Sequence, residues 1–377
     1  REDLTVNTKT VTVYDGAIDA NESQHGKINV TGTYQDGESF TLQPNEKAVI
    51  DLGQNFAGWE KIQVEGPKGA MLTMRHGEML NDNDGLKSRG NDGPEGSIYT
   101  ANLRSAQATG RYILSGNGIE TYQASATFYG FRYLEISTTQ PVTIHNVKGI
   151  VVTSVAENTG TLSTGNADVN QLISNIFWGQ YSNYLSVPTD CPQRDERQGW
   201  SADTQVFSTA ASYNADSKGF LQKWMQDMKD SQASNGAYPD TAPATRFGGT
   251  GQLGLADAGI IVPYNLYKMY GDKSVIEENY ESMQKYIDVF LASTDKKGAG
   301  HSYGDWLAYE SNDDDMKSLL GIAYYAWDAQ MMAEMAEVLG KIDDVTKYQE
   351  IYEIEKEYFQ QQYVRKRGPA DRPLQKT

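Results

Sequence analysis

The 377-residue chain has one cysteine, four histidines and a deficit of basic side chains. Cys191 has no second cysteine to pair with, so no internal disulfide staples the fold and the redox compartment stays open. Lys and Arg number 33 against 50 Asp and Glu, a net charge of −17. That balance argues against nucleic acid or an anionic membrane surface as a partner. It is compatible with an uncharged substrate such as a sugar. No apolar run approaches the roughly 18 residues of a membrane helix, and no signal peptide opens the chain. Arg1 stands where Met would begin a gene product, as expected of a chain processed or excised from something longer. No set of His, Cys and carboxylate has zinc spacing and there is no phosphate loop, so no cofactor or metal is expected. None of this fixes cytoplasmic or exported location.

Charge is concentrated in one stretch, Pro188 to Asp203. It holds four carboxylates (Asp190, Asp195, Glu196, Asp203), two arginines (Arg194, Arg197) and Trp200. Pro188 and Pro192 exclude a regular helix or central strand, so Asp190 to Arg197 should be loop. Ser201 is the candidate N-cap of a helix running through the apolar-rich Val206 to Ala211. Asp203 then lies in the first turn, where the helix dipole favours its ionised form and acceptance of bonds from hydroxyls. Neighbouring acids would raise the pKa of Glu196 while Arg194 and Arg197 would lower it. Sequence does not settle that balance. A carboxyl held protonated beside ionised neighbours is the pattern of a glycosidase general acid. A solvated charged loop with local ion pairs is the alternative.

The string Asp190-Cys-Pro-Gln-Arg-Asp-Glu-Arg-Gln-Gly-Trp200 resembles the signature of the bacterial α-L-rhamnosidases, the inverting glycoside hydrolase family 78. Gln198 stands where Leu is frequent, and Asp203 follows the Trp by three residues as in the family. The resemblance implies Glu196 as general acid, Asp190, Arg194 and Asp203 as holders of rhamnose hydroxyls, and Trp200 as a wall of the sugar site. Cys191, beside Pro192 in this loop, is expected to pack rather than to act as a nucleophile, and Asp195 to face away and hold the loop through arginines.

Residues 1–158 read as a β domain. Thr10–Tyr14, Lys27–Thr31, Lys61–Glu65 and Met71–Arg75 alternate at period two, with a turn at Gly66–Gly69. Further strands are expected at Arg111–Leu114, Ala124–Phe128, Arg132–Ile136, Val142–His145 and Gly149–Thr153. Many short strands between Gly and Pro punctuation indicate an antiparallel sandwich. Asn81–Ser97 should be a long surface loop; Asn81-Asp-Asn-Asp-Gly85 resembles half a calcium loop but lacks its later Glu. Asp51–Trp59 and Phe128–Glu135 also resemble family 78, implying a concanavalin-like β-sandwich upstream of the catalytic domain. Their aromatics are expected in the core.

Residues 159–377 change to a period near 3.6. Val169, Leu172, Ile173, Ile176 and Phe177 share one helical face. Helices follow at Phe220–Met228, Ala258–Tyr270, Ile276–Phe290, Leu319–Leu339 and Val345–Tyr363. Stacked αα-hairpins are expected, and the resemblance makes them an (α/α)6 barrel. A closed twelve-helix barrel needs on the order of 300 residues, so this one should be truncated at the C-terminus, with exposed apolar faces on its last two helices.

The loops Asn235–Pro243 and Tyr303–Ala308 resemble family loops around the sugar. Asp240 and Trp306 are the candidates there, with Tyr238 and Asp305 as further hydroxyl partners and Trp306 stacking on the apolar face of a 6-deoxysugar. Leu255 replaces a Trp frequent in relatives. His301 is expected to be structural. The resulting expectation is an inverting α-L-rhamnosidase acting on a rhamnose-containing glycoside, its general base lying beyond Thr377; Glu310 would be a guess. The alternatives are a hydrolase of another sugar on the same scaffold and a carbohydrate-binding fragment without turnover.

Overall fold

The computed structural model describes residues 1–21, 24–82, 91–245, 248–291, 302–309 and 313–364. They fall into two compact units, Arg1–Gln198 and Gly199–Thr377.

Alternating apolar residues build the first unit as strands. These are β1 (Val6–Asn7), β2 (Thr10–Ile18), β3 (Lys27–Gln35), β4 (Phe40–Leu42), β5 (Lys47–Glu65) and β6 (Met71–Gly77). Then come β7 (Met79–Leu80), β8 (Ile98–Tyr99), β9 (Thr109–Ile113), β10 (Ile119–Gln123), β11 (Tyr129–Thr138) and β12 (Val142–Val151). The main sheet runs β1-β12-β5-β11-β6-β9, with β2, β3, β4 and β10 branching from it. All its pairings are antiparallel.

The 19-residue β5 organises this unit. Its first part pairs with β2 and β11, its last part with β12 and β10. Ile50, Leu52, Phe56, Ile62 and Val64 point from it into the core and are buried. Phe56 meets Phe131 at 4.7 Å, while Asp51 takes both prongs of Arg132 at 2.8 Å. The two family-like stretches are therefore one packed pair of strands.

Three strand expectations need correction. Val142–His145 and Gly149–Thr153 belong to one strand, because β5 offers a continuous partner and a bulge between Ile144 and Asn146 absorbs the register slip. Ala124–Phe128 is not a strand: Ala126 has φ 56°, and the pairing residues are those of β10. Lys61–Glu65 is only the end of β5.

Helix α1 (Ala167–Asn183) closes this unit, capped by Asn166, whose side chain accepts from the Asp168 and Val169 amides. The helical period was legible, but the buried face was not. Leu172 is 58% exposed, whereas Gln180 and Tyr181 are buried and Ser182 accepts from the Ala57 amide at 3.2 Å.

The second unit is helical: α2 (Ser201–Asn214), α3 (Lys218–Asp230), α4 (Ala258–Tyr270), α5 (Ser274–Glu277), α6 (Tyr280–Leu291), α7 (Asp314–Val338) and α8 (Ile342–Tyr363). The pair α7 and α8 packs as a hairpin, and α4 lies against α2, α3 and α7. Accordingly α4 is buried through Ile260, Ile261, Val262 and Leu266. Rings continue that core from Tyr238 through Tyr286 and Phe290 to Tyr325 at 5.2–5.3 Å spacings. The helix expected over Ile276–Phe290 is two helices. The Asn279 side chain bonds the Val275 carbonyl at 2.7 Å, and the chain restarts at Tyr280. Helix α7 begins earlier than its apolar period, because Asp313 caps it by accepting from the Met316 amide. Eleven of its 25 residues are buried, Ile322, Tyr325, Met331, Met332 and Met335 among them, while Trp327 is 44% exposed.

Candidate active site

The charged stretch is a loop as its prolines require, and within the first unit it is tied at both ends. Asp190 Oδ1 accepts the Gln198 amide at 2.8 Å, and the Asp190 amide donates to the Gln198 carbonyl at 2.9 Å. Both contacts use the backbone of Gln198, so a side chain other than Leu leaves them intact. Burial raises the Asp190 pKa. Burial, with Asp190 adding to it, pushes the Cys191 thiol up to about 12. That sulfur stays protonated near neutral pH and is no nucleophile.

Between these ties the loop leans on the sheet. The Arg197 guanidinium lies 4.2 Å over the Phe128 ring and donates to the Phe128 carbonyl at 2.9 Å. Gly130, next in the same family-like stretch, faces Gln193 so closely that a Cβ there would sit 2.9 Å from its Cα. Asp195 faces away from Glu196 and accepts from the hydroxyl and the amide of Ser105. The Ser105 hydroxyl bond is the main cause that holds Asp195 below the usual carboxylate range. It is a serine rather than an arginine that holds this acid.

Glu196 carries the charge-assisted contacts. Arg194 Nη2 lies 2.7 Å from its Oε2 and Arg104 Nη1 3.2 Å from the same oxygen. The Glu196 side chain is one-fifth exposed. Beside this loop opens a cleft of about 330 Å³, lined among others by Asp190, Gln193, Asn55, Glu78, Trp178 and Asn183. Glu78 accepts from Asn55 and Asn102, and burial raises its pKa. Arg104 and Glu78 escaped the sequence reading because neither lies in a motif. The one local hint is Arg104 following the short apolar turn Ala101–Leu103.

In the second unit the remaining candidates gather around the loop Asn235–Pro243. Helix α2 starts at Ser201 with Trp200 as its N-cap residue, one position earlier than expected. The reason is that Ser201 spends both its amide and its hydroxyl on the Asp240 carbonyl, at 2.9 and 2.8 Å. Gly199 accepts from the Ala242 amide at 2.9 Å. A Cβ on Gly199 would meet the Ala242 carbonyl oxygen at 2.3 Å. The glycine of the signature is thus required by a backbone passing against it. Asp203 lies in the first turn of α2 and is exposed.

Asp240 is wholly buried; its Oδ2 accepts from the Gly249 amide at 2.7 Å and the Tyr303 hydroxyl at 2.8 Å. Burial raises its pKa and that of Tyr303, the latter to about 12. Tyr303 in turn meets Trp306 edge-on at 6.3 Å, and Trp306 is 74% exposed. Asp305 is exposed beside it. Tyr238 is core: it is fully buried and bonded to Ser282 at 2.7 Å. Asp257 accepts from the Gly254 amide and the Tyr286 hydroxyl and faces Asp328. His301, Glu310 and residues 83–85 of the calcium-like stretch lie outside the described residues. Asn81 itself is committed to Asp92 and Ser97.

Among the described residues, ligand-type atoms of three groups come within 4.8 Å of one another only at Asp190, Cys191 and Glu196. A protonated thiol and a guanidinium already 2.7 Å from Glu196 make this a poor cation site. What the cluster presents instead is Glu196 Oε2 met by two guanidiniums.

Comparison with known proteins gives two family matches. Residues 41–153 match the bacterial alpha-L-rhamnosidase concanavalin-like domain, and residues 157–376 the bacterial alpha-L-rhamnosidase 6 hairpin glycosidase domain. An alpha-L-rhamnosidase of Streptomyces avermitilis is 41% identical over 329 residues, 85% of this chain and 30% of that protein. One of Formosa agariphila is 37% identical, over 81% of this chain and 33% of that protein. A solved structure of the Streptomyces avermitilis alpha-L-rhamnosidase complexed with L-rhamnose superposes with a TM-score of 0.74 at 38% identity, covering 88% of this chain and 32% of that one. The alpha-L-rhamnosidase of Dictyoglumus thermophilum gives 0.77 at 32% identity, covering 86% and 37%. The chain spans about a third of the length of the relatives it matches.

Proposed function

The chain belongs to the bacterial α-L-rhamnosidase family, and from that premise we propose that its protein is an inverting glycoside hydrolase releasing terminal L-rhamnose from a rhamnose-containing glycoside. The observation that carries this reading is Glu196, whose Oε2 is held by Arg194 at 2.7 Å in a loop locked by backbone bonds. As general acid, Glu196 donates its proton to the glycosidic oxygen as the C–O bond breaks, and the leaving alcohol departs neutral.

Carried over residue by residue from the family, Asp190, Arg194 and Asp203 are assigned to hydroxyls of the sugar, and Trp200 and Trp306 to its apolar face. Asp240 is buried and accepts from the Tyr303 hydroxyl, so it supports the loop around the sugar through Tyr303. Inversion requires a second carboxylate, about 6.5–9.5 Å from the acid, to activate water on the opposite face. That role is given to none of the described carboxylates.

The test is turnover of a panel of nitrophenyl glycosides by the full-length gene product, with the anomer of the released sugar followed by NMR. Rhamnoside cleavage with inversion is expected. Preference for another sugar would refute the substrate. Glu196→Gln should lower kcat on an alkyl rhamnoside by about 10²–10⁴ and recover partly on a nitrophenyl rhamnoside. Near wild-type turnover of the alkyl substrate would remove Glu196 from the role. Assaying residues 1–377 alone beside the full product is expected to show little turnover; comparable rates would place the base within this sequence.

A further inference from the structure

We propose that Arg104, a residue of the β domain far from any catalytic motif, is a positioning residue for the general acid. The proposal rests on Glu196 having that role. Arg104 follows the 3₁₀ turn Ala101–Leu103 with φ 57° and ψ −118°, a conformation that a residue with a Cβ seldom adopts. Such backbones persist where surrounding contacts over-determine them, and they cluster at functional sites. Here the neighbouring contacts are identifiable. Ser105 gives its hydroxyl and amide to Asp195, the residue before Glu196. Arg104 itself extends Nη1 to Glu196 Oε2 at 3.2 Å. One dipeptide of the sheet domain therefore grips two consecutive acids of the loop, 92 and 90 residues away in sequence.

The geometry divides the work between two arginines. Arg194 Nη2 reaches Oε2 at 2.7 Å from within the loop, so it moves whenever the loop moves. Arg104 reaches the same oxygen from a separate element. Two guanidiniums approaching one oxygen from different backbones fix the rotation of the carboxyl, where one would allow it to swing. A proton donor must be held within about 0.5 Å and 10–20° of its productive geometry, so the second contact bears directly on proton delivery. Arg104 does not touch the substrate in this account. It acts through Glu196, and it makes the β domain part of the catalytic apparatus rather than an appended module.

A merely structural arginine would lower turnover of every rhamnoside by the same factor. A residue that aims the acid matters in proportion to how much the leaving group needs a proton. In the full-length gene product, Arg104→Met should lower kcat on an alkyl rhamnoside by on the order of tenfold, a fraction of the general-acid contribution. On a dinitrophenyl rhamnoside, whose leaving group departs unaided, the change should stay within about twofold. Arg104→Lys should restore part of the alkyl activity, because a single ammonium reaches the oxygen without the planar fork. In a Glu196→Gln background Arg104→Met should add nothing on either substrate.

Equal losses on both substrates, or no loss on either, would overturn the proposal, as would a further loss in the Glu196→Gln background. A melting temperature for each variant identifies loss through unfolding, which would also count against it, and the lysine variant keeps the test open if methionine unfolds the protein. The two levels separate cleanly. If Glu196→Gln itself shows no dependence on the leaving group, the general-acid reading fails. If it does and Arg104→Met does not, only the role of Arg104 fails.

Discussion

Two acidic side chains of the first unit and three of the second are treated in opposite ways. In the first, Glu196 and Asp195 lie on a loop near solvent and are met by guanidinium and hydroxyl donors from Arg104, Arg194 and Ser105. In the second, Asp240, Asp257 and Asp328 are wholly buried; tyrosine hydroxyls and backbone amides donate to Asp240 and Asp257, and Asp328 faces Asp257. Burial raises the pKa of all three; Asp257 raises that of Asp328 further, while the contact with Asp328 pulls that of Asp257 down. The contrast follows from solvation. A carboxyl near water loses little of its solvation and can be aimed with arginines. An ion in a packed helical core costs several kcal/mol, so such a group keeps its proton and serves as a hydrogen-bonding strut. Acids of the first kind suit chemistry, and those of the second hold the frame on which a pocket is built.

The sharpest way to break that contrast is to disturb each frame separately through its close-packed glycine. Gly199→Ala pushes a Cβ against the Ala242 carbonyl, which is backbone and cannot rotate away. A loss of about 3 kcal/mol is expected, the upper end for overpacking, read by urea denaturation. Gly130→Ala presses on Gln193 in the loop itself, so it should depress kcat far more than the melting temperature. Similar stability and activity losses in both variants would show that the two ends of the signature are not held independently.

The next effect concerns recognition. Asp203→Ala should weaken rhamnose binding by about 1–3 kcal/mol by leaving sugar hydroxyls unpaired, measured by calorimetry. Unchanged affinity would put the hydroxyl-binding group elsewhere.

A third prediction tests the buried pair through pH. A carboxyl whose folded pKa is raised binds its proton more tightly in the folded chain. Its contribution is then whole below the unfolded value near 4 and is lost as pH rises through the folded one. The slope is at most about 1.4 kcal/mol per pH unit for each group that titrates in the window. Asp328→Asn, which mimics the protonated form, should flatten the fall in melting temperature between pH 5 and pH 8. Parallel curves for wild type and variant would mean that Asp328 does not bind a proton on folding.

The smallest effect is expected at Ser105→Ala. It removes an exposed hydroxyl bond, and Asp195 loses the bond that depresses its pKa. The folded Asp195 pKa lies below the unfolded one, so the stability it contributes is present above about pH 4 and is lost as pH falls through the folded value. The variant should therefore differ from wild type near neutral pH and converge with it in acid.

What was legible in advance was local. Two prolines make Asp190–Arg197 a loop whatever surrounds it, because a ring without an N–H excludes helix and sheet at any location. Period-two and period-3.6 patterns placed the end of β5, the middle of β11, α4 and most of α7, since a side chain's face follows from the backbone repeat alone. The signature singled out Glu196 as the candidate acid, because its residues are consecutive.

What the sequence did not show depends on contacts between distant segments. Val169, Leu172 and Ile176 form an apolar stripe on α1, yet the residues it buries include Gln180 and Tyr181. A stripe records what a helix could bury, and the neighbour it meets decides what it does bury. Asn279 gave no warning that it would split a helix, because its choice of the Val275 carbonyl competes with an equally local alternative. Arg104 reads as one more surface cation until the sheet brings it to a carboxylate 92 residues away. The sequence by itself thus determined the elements, the loop and the acid it carries. Only the tertiary structure decided which donors meet that acid and which acids lose their water, because solvation and long-range pairing are properties of packed surroundings and not of residue order.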